Sequence, residues 1–228
     1  MPLSGIGIPE RTYFESSRLN NVPLGTISLL YVEGEQHFSI WLAYLYNDDG
    51  TVSHIGFRAL KEQVTTDFYG NWISRRPIFD SITFAKRVEY YSLPHVLSEQ
   101  GIPASVMIYA SGLSGYPVVA GGIKIALLYP DQGIWVNYTM PMYIQEGDRK
   151  GCPANAHIEM ELYPPGNPGS FFSLLDQTNW GITKSGYRLL EEATFMSVEE
   201  FYETFRNPTD ECIEIPSSLW PTPGPGGG

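Results

Sequence analysis

The stretch that decides the predicted fold is SLPHVLSEQGIPASVMIYA, residues 92–110. Ser92 is typical of a helix N-cap, and Pro94 is tolerated in the first turn because its missing N–H has no intrahelical partner there. Gly101 is typical of a left-handed C-cap, and Pro103 prevents the helix from continuing. The pattern therefore predicts a short helix that ends at a glycine and a proline and is followed by a strand.

A second stretch with the same order of features is SVEEFYETFRNPTDECI, residues 197–213, which follows the first at an offset of 197 − 92 = 105 residues. Ser197 and Glu200 form a capping-box pattern, and the apolar side chains after them have helical spacing. Two interpretations stay open, a chance similarity and an internal duplication of 92–108 with 197–213. A duplication predicts two similar lobes, with the C-terminal helix and strand completing the first meander.

Antiparallel meanders surround these helices. In the first meander the sequence predicts strands at 25–32, 36–46 and 51–60, and Asp49-Gly50 supplies the hairpin turn. In the second it predicts strands at 104–110, 122–129 and 134–145, and further strands are predicted at 81–90, 156–163 and 212–215. The predicted fold class is α+β, built from antiparallel β-meanders and two short helices. The predicted domains are an arm at 1–23, an α+β domain at 24–215 and a flexible tail at 216–228.

Composition limits the classes of function. Of 228 residues, 43% are hydrophobic and only 17% are charged, which excludes a disordered chain. Lys and Arg number 14 against 25 Asp and Glu, and the net charge of −11 disfavours a nucleic-acid partner. No apolar run is long enough to span a bilayer, so no transmembrane segment is predicted. The N-terminal residues lack a signal-peptide pattern, and two readings stay open: a cytoplasmic protein, or a mature or truncated form of an exported one.

Cys152 and Cys212 both follow turn-like stretches and lie beside predicted strands. Two alternatives stay open for them: two reduced, buried thiols, or one disulfide formed in an oxidising compartment. A bridge that closes a loop of about 60 residues would stabilise the fold by about 4 kcal/mol in the chain-entropy model.

Residues 92–103 resemble the helix–Gly-x-Pro–strand signature of small bacterial outer-membrane-assembly lipoprotein domains, the SmpA/OmlA or BamE-like family. The segment 179–183 (NWGIT) and the ending at 212–220 are similar to uncharacterised exported proteins of Chloroflexi-type bacteria. The sequence departs from the first pattern because no lipobox cysteine precedes the domain and Asn207 precedes the second proline. The resemblance implies an extracytoplasmic α+β scaffold that contacts other proteins or the envelope, and it transfers no catalytic residues.

Two sets of residues are candidates for a functional site. Trp135, Asn137, Thr139 and Tyr143 combine aromatic and polar side chains, as a surface that contacts a protein or a glycan requires. The second set, His157, Glu159 and Glu161, alternates along a predicted strand and so shares one face.

The second set allows more than one function. His157 and the two carboxylates could bind a divalent cation, or Glu159 could act as an acid–base group. A metal ion would need a further ligand from a neighbouring strand, and none is visible in the sequence. The alternative is a solvated polar face of a half-buried strand.

The leading hypothesis is a non-catalytic binding or interaction module of an exported bacterial protein, with a protein or glycan partner and no cofactor. The alternative is an enzyme with an acid–base pocket on the sheet near His157 and Glu159. An enzyme is expected to have a pocket with convergent polar groups, whereas a binding module is expected to have a shallow aromatic patch.

Overall fold

The computed structural model describes residues 11–19, 22–33, 36–46, 49–66, 72–77, 89–110, 122–165 and 187–220. In chain order the strands are β1 (Arg11–Leu19), β2 (Val22–Glu33), β3 (Gln36–Tyr46), β4 (Val52–Thr66), β5 (Trp72–Pro77), β6 (Ser105–Ala110), β7 (Gly122–Tyr129), β8 (Ile134–Pro141), β9 (Tyr143–Gln145), β10 (Asp148–Gly151), β11 (His157–Leu162), β12 (Arg188–Leu189) and β13 (Ile213–Ile215). The helices are α1 (Leu93–Gln100), α2 (Leu190–Thr194) and α3 (Val198–Phe205).

The main sheet has ten strands in the order β1-β2-β3-β4-β11-β8-β7-β6-β12, with β5 paired to β4. All of its pairings are antiparallel. Strand β11 lies between β4 and β8, so it joins the two meanders into one continuous sheet. The predicted α+β class with antiparallel sheets and short helices is confirmed.

One face of the main sheet is covered by the helices and carries the apolar core. Side chains from β7, β8 and β11 alternate onto this face, among them Ile125, Tyr138 and Ile158. Helix α1 contributes Leu93, Val96 and Leu97, and helix α3 contributes Phe201 and Phe205, all of which are buried. Burial of such side chains stabilises the fold by about 1.5–3 kcal/mol each. We call this side of the sheet the helix-covered face.

A second sheet of three strands, β13-β10-β9, packs on the same face. Gly151 at the end of β10 is in close contact with the main sheet, since a Cβ atom added there would lie 2.9 Å from Met140 Cγ and 3.0 Å from Ile123 Cδ1. Beyond Gly151 and its partner Ile213, the next opposed pair is Cys152 and Cys212, which form a disulfide. The structure therefore has a disulfide rather than two reduced thiols.

The two similar sequence segments share their helices but not their strands. Helix α1 shifted by 105 residues coincides with α3, since 93 + 105 = 198 and 100 + 105 = 205. Ser197 makes the full capping box, whereas the Ser92 hydroxyl donates to the Glu89 carbonyl and does not cap α1. Strand β6 lies in the main sheet and β13 in the small one. The C-terminal strand therefore does not complete the first meander as expected, and the duplication stays unconfirmed.

Other expectations differ in detail. Residues 11–19, predicted to belong to an arm, form β1 at the edge of the main sheet. The strand predicted at 134–145 breaks at Met142, and its two parts, β8 and β9, belong to different sheets. Most of the strand predicted at 81–90 lies outside the described residues, and Glu89–Tyr91 form a 3-10 turn. None of the helices in the described ranges has the length and apolar character needed to cross a bilayer.

Candidate functional site

Charged and amide side chains gather on the face of the main sheet opposite the helices. They come from four neighbouring strands, β4, β11, β8 and β7. We call them the polar layer and define it by Arg58, Lys124, Asn137, Glu159 and Glu161. Strand register places them together, because Glu159 lies directly opposite Arg58 on one side and Asn137 on the other.

The centre of the polar layer is an ion pair. Arg58 Nη2 lies 2.7 Å from Glu159 Oε1, and the two side chains retain 24% and 11% of their exposure. Asn137 Nδ2 donates to Glu159 Oε2 at 3.3 Å. A charge-assisted pair of this kind is stronger than a neutral hydrogen bond, and removal of one partner would leave the other charge buried.

The Asn137 side-chain amide is hydrogen-bonded through its nitrogen but not through its oxygen. The residue has no exposed surface, and its Oδ1 atom has no hydrogen-bond partner among the described residues. Its nitrogen is engaged by Glu159 on β11, and the residue opposite it on β7 is Ala126, whose methyl group cannot donate. A buried acceptor without a donor costs about 1–3 kcal/mol, so this oxygen is a place where a ligand donor would stabilise the protein.

Glu161 lies at the buried end of the layer and is only 4% exposed. The residues opposite it are Gly56 and Trp135, neither of which is a cation. Burial raises the pKa of the Glu161 carboxyl to about 8; the Glu159 charge raises it further and Arg58 opposes the shift. This carboxyl group is therefore mostly protonated at pH 7, and it can donate a hydrogen bond.

Lys124 lies at the other end of the layer, where side chains are partly exposed, and we call this the open end. It is opposite Thr139 on β8 and Tyr109 on β6, and all three are partly exposed. Burial lowers the pKa of the Lys124 ammonium, and the Glu159 charge opposes the shift. Among the described residues no carboxylate pairs with Lys124 at ion-pair distance, and the Glu159 charge acts on it only from further away.

Aromatic side chains border the polar layer. Trp135 and Tyr163 are buried around Ala126, and Met107, Leu128 and Tyr187 pack against them. The rings of Tyr109 and Tyr187 are 5.5 Å apart, and Lys124 Nζ lies 5.9 Å from the centre of the Tyr109 ring. The Tyr187 hydroxyl is buried and has no hydrogen-bond partner among the described residues. The fold and this site together define an α+β protein with a largely buried polar layer on one face of its main sheet.

The first predicted set of binding residues is divided by the structure. Trp135, Asn137 and Thr139 share a face of β8, but Trp135 is 1% and Asn137 0% exposed, so neither can present a surface to a large partner. Tyr143 lies on β9 in the small sheet, is 44% exposed, and its hydroxyl is 3.2 Å from Cys152 Sγ. These four residues therefore do not form one exposed contact face.

The second predicted set lies on one face of β11, as predicted. The alternative that this face is a solvated polar surface is wrong. His157, Glu159 and Glu161 are all less than 9% exposed. The physical reason is that β11 is a central strand whose second face is also buried. In the described ranges no group of three or more His, Cys, Asp or Glu side chains could hold a metal ion.

Sequence reasoning missed Arg58 and Lys124. Each is a single cation in an otherwise apolar or alternating strand, in SHIGFRAL and GIKIALLY. A lone cation in a strand with buried neighbours is the signal that could have found them, since an unpaired charge is rarely buried. Their common location with Glu159 depends on pairing of β4 and β7 with strands far away in sequence.

The C-terminal segment 213–220 is fixed to both sheets. Lys150 Nζ pairs with Glu214 at 2.9 Å, and the Ser217 amide donates to Asp148 at 2.8 Å. The buried Arg149 donates to the Trp220 carbonyl, and Arg188 of β12 stacks on the Trp220 ring at 4.6 Å. The disulfide and these contacts hold the segment in place, so residues 216–220, which were predicted to belong to a flexible tail, are fixed to β10 and β12.

No protein-family model, no curated protein and no solved structure matches this chain. The resemblance to SmpA/OmlA domains therefore stays a prediction, and the function has to be argued from the site itself.

The burial of Glu161 predicts a pH dependence of stability. Its pKa is raised in the folded protein from 4.5 to about 8, so the folded state holds a proton that the unfolded chain has released. The stabilising contribution is complete below pH 4.5 and is lost as the pH rises towards 8. We expect urea unfolding between pH 5 and pH 9 to show a falling free energy of unfolding, and Glu161→Gln to remove that slope.

The matched control is Glu199→Gln, which changes an exposed glutamate of α3 and leaves Glu161 in place. The slope should persist in this variant. A wild-type slope that survives in Glu161→Gln would contradict the assignment of the proton to Glu161.

Proposed function

We propose that the protein is a binding module of an oxidising, extracytoplasmic compartment, and that its ligand contacts the polar layer. The observation that carries the proposal is the half-satisfied Asn137 amide beside the Arg58–Glu159 pair, in the middle of a sheet. Buried charges and unpaired acceptors oppose folding, and groups of this kind cluster at functional sites. Lys124 and Thr139 at one end of the layer are partly exposed, and this is the end from which a small ligand would approach.

The disulfide supports an oxidising compartment. Cys152 and Cys212 are bridged, and stable disulfides are typical of proteins in oxidising surroundings. The resemblance to envelope-associated domains in the sequence supports the same location. Tyr143 and Ile144, exposed on the edge strand β9, would suit a protein contact in addition to the ligand.

An acid–base enzyme is the second candidate, and the raised pKa of Glu161 favours it. Glu161 keeps its proton at neutral pH, whereas Glu159 is paired with Arg58. Two carboxyl groups in such different surroundings are the pattern found in acid–base pairs. A ligand that is recovered chemically unchanged after long incubation would favour the binding module over this enzyme.

A parallel thermal-shift screen tests the proposal. Wild-type protein and Lys124→Met are screened against one chemically diverse library of small polar compounds. Lys150→Met is the control, because it removes the same charge in the small sheet. We expect compounds that raise the Tm of wild type and Lys150→Met but not of Lys124→Met. If no compound in the library depends on Lys124, the polar layer is not the binding site.

A further inference from the structure

Resting on the proposed function, we infer that the ligand is a sugar acid, a hydroxylated carboxylate whose acid group pairs with Lys124 and whose hydroxyl donates to Asn137 Oδ1. The first support is the distribution of charge in the polar layer. Arg58 is paired with Glu159, whereas among the described residues no carboxylate lies at ion-pair distance from Lys124. Lys124 is therefore the cation of the layer with which an acidic ligand can pair, in a protein whose net charge is −11.

The position of Lys124 decides where the acid group of the ligand binds. Arg58 is bound to Glu159 at 2.7 Å, whereas no described carboxylate pairs with Lys124 at ion-pair distance. Lys124 is partly exposed, so an incoming carboxylate can reach it. The acidic protein repels anions at long range, but that repulsion is screened beyond about 8 Å at physiological salt, whereas a direct ion pair is screened much less.

The unsatisfied groups decide what else the ligand carries. Asn137 Oδ1 is an acceptor that lacks a donor, and the Tyr187 hydroxyl is buried without a partner. A hydroxyl group of the ligand can donate to Asn137 Oδ1 and can pair with the Tyr187 hydroxyl, whereas acetate has no donor for Asn137 Oδ1.

The aromatic border decides the shape of the ligand. Tyr109 is partly exposed beside Lys124, with Tyr187 next to it. A tyrosine ring offers an apolar surface with a polar edge, which suits the C–H face of a pyranose ring. Charge, acceptor and aromatic surface thus occur together at the open end, and a uronic acid has the complementary groups in one molecule.

The test uses D-glucuronate as the probe, with D-glucose and acetate as matched compounds that lack the acid group or the hydroxyls. Calorimetric titrations of the full chain at 0.15 M salt compare wild type, Lys124→Met and Lys150→Met. We expect wild type and Lys150→Met to bind glucuronate at least about tenfold more tightly than either matched compound. Lys124→Met should lose about tenfold or more of that affinity, the scale of one charge-assisted contact.

Thr139→Val is a second variant, which removes the hydroxyl of a partly exposed residue at the open end with little change in volume. Nuclear magnetic resonance of the Ala126 and Thr139 methyl groups in wild type locates the bound probe, with Ala193 of α2 as a distant control. Chemical-shift changes confined to Ala126 and Thr139 are expected, together with weaker binding in Thr139→Val. If glucuronate and glucose bind equally, or if Lys124→Met binds glucuronate as wild type does, the inference is wrong.

The two proposals fail in different ways. If glucuronate does not bind but another library compound raises the Tm in a Lys124-dependent manner, the sugar-acid inference fails and the binding function stands. If no compound of either kind depends on Lys124, both fail.

Discussion

Replacement of Gly133 by alanine is expected to lower the free energy of unfolding by about 2–5 kcal/mol. Gly133 ends the turn between β7 and β8 with a φ of +65°. A Cβ atom there would lie 1.9 Å from the carbonyl oxygen of Tyr163 and 3.2 Å from the nitrogen of Pro165. These are backbone atoms that cannot rotate away. The Gly133 carbonyl also accepts a hydrogen bond from the Tyr163 amide at 2.8 Å, which any relief of the clash would weaken.

Gly147→Ala is the matched control. Gly147 also has a positive φ, +95°, but a Cβ atom added there would meet nothing within 4 Å. Its cost is therefore the conformational one alone, about 1–2 kcal/mol. Urea unfolding of the two variants separates the effects. Equal losses in both would mean that β8 and β11 do not approach each other at Gly133 as described.

Removal of the disulfide is the second large effect. Cys152 and Cys212 are 60 residues apart, so the chain-entropy relation gives a loss of about 4 kcal/mol when both are replaced by serine. For a domain of this size that loss lowers the Tm by about 8–16 °C. The bridge closes the β10–β13 ladder, and with it the segment that ends at Trp220, so this segment should be the first to open.

Calorimetry of wild type, of the Cys152→Ser/Cys212→Ser variant and of each in dithiothreitol measures the effect. The reductant should lower the Tm of wild type to that of the variant and leave the variant unchanged. Wild type that does not respond to the reductant, with two thiols available for alkylation before it is added, would show that the cysteines are not bridged.

Local patterns in the sequence predicted the elements but not their assembly. The capping box at Ser197 and the glycine and proline after residue 100 placed α1 and α3 correctly, because helix ends depend on nearby residues. The strand at 122–129 also has the predicted bounds, because the glycines at its start and the turn residues after it are local signals. That β11 lies between β4 and β8 could not be predicted, since strand order depends on pairings between residues about 100 positions apart.

The same limit explains the error at the site. Alternation along 156–163 predicted correctly that His157, Glu159 and Glu161 share a face, because side chains of a strand alternate regardless of context. Whether that face is exposed depends on what packs over it and on the partners brought by other strands. Arg58 and Lys124 come from β4 and β7, and only the assembled sheet brings them to Glu159.

The carboxyl groups of Glu159 and Glu161 are buried in the middle of one continuous sheet, and both proposals depend on this burial. Glu161 is the most sensitive reporter, because burial is the largest cause of its raised pKa. The direct measurement is a pH titration of the Glu161 carboxyl carbon by nuclear magnetic resonance, with Glu161→Gln to assign the signal. A midpoint near 8 is expected. A midpoint near 4.5, the value of a solvated glutamate, would contradict it.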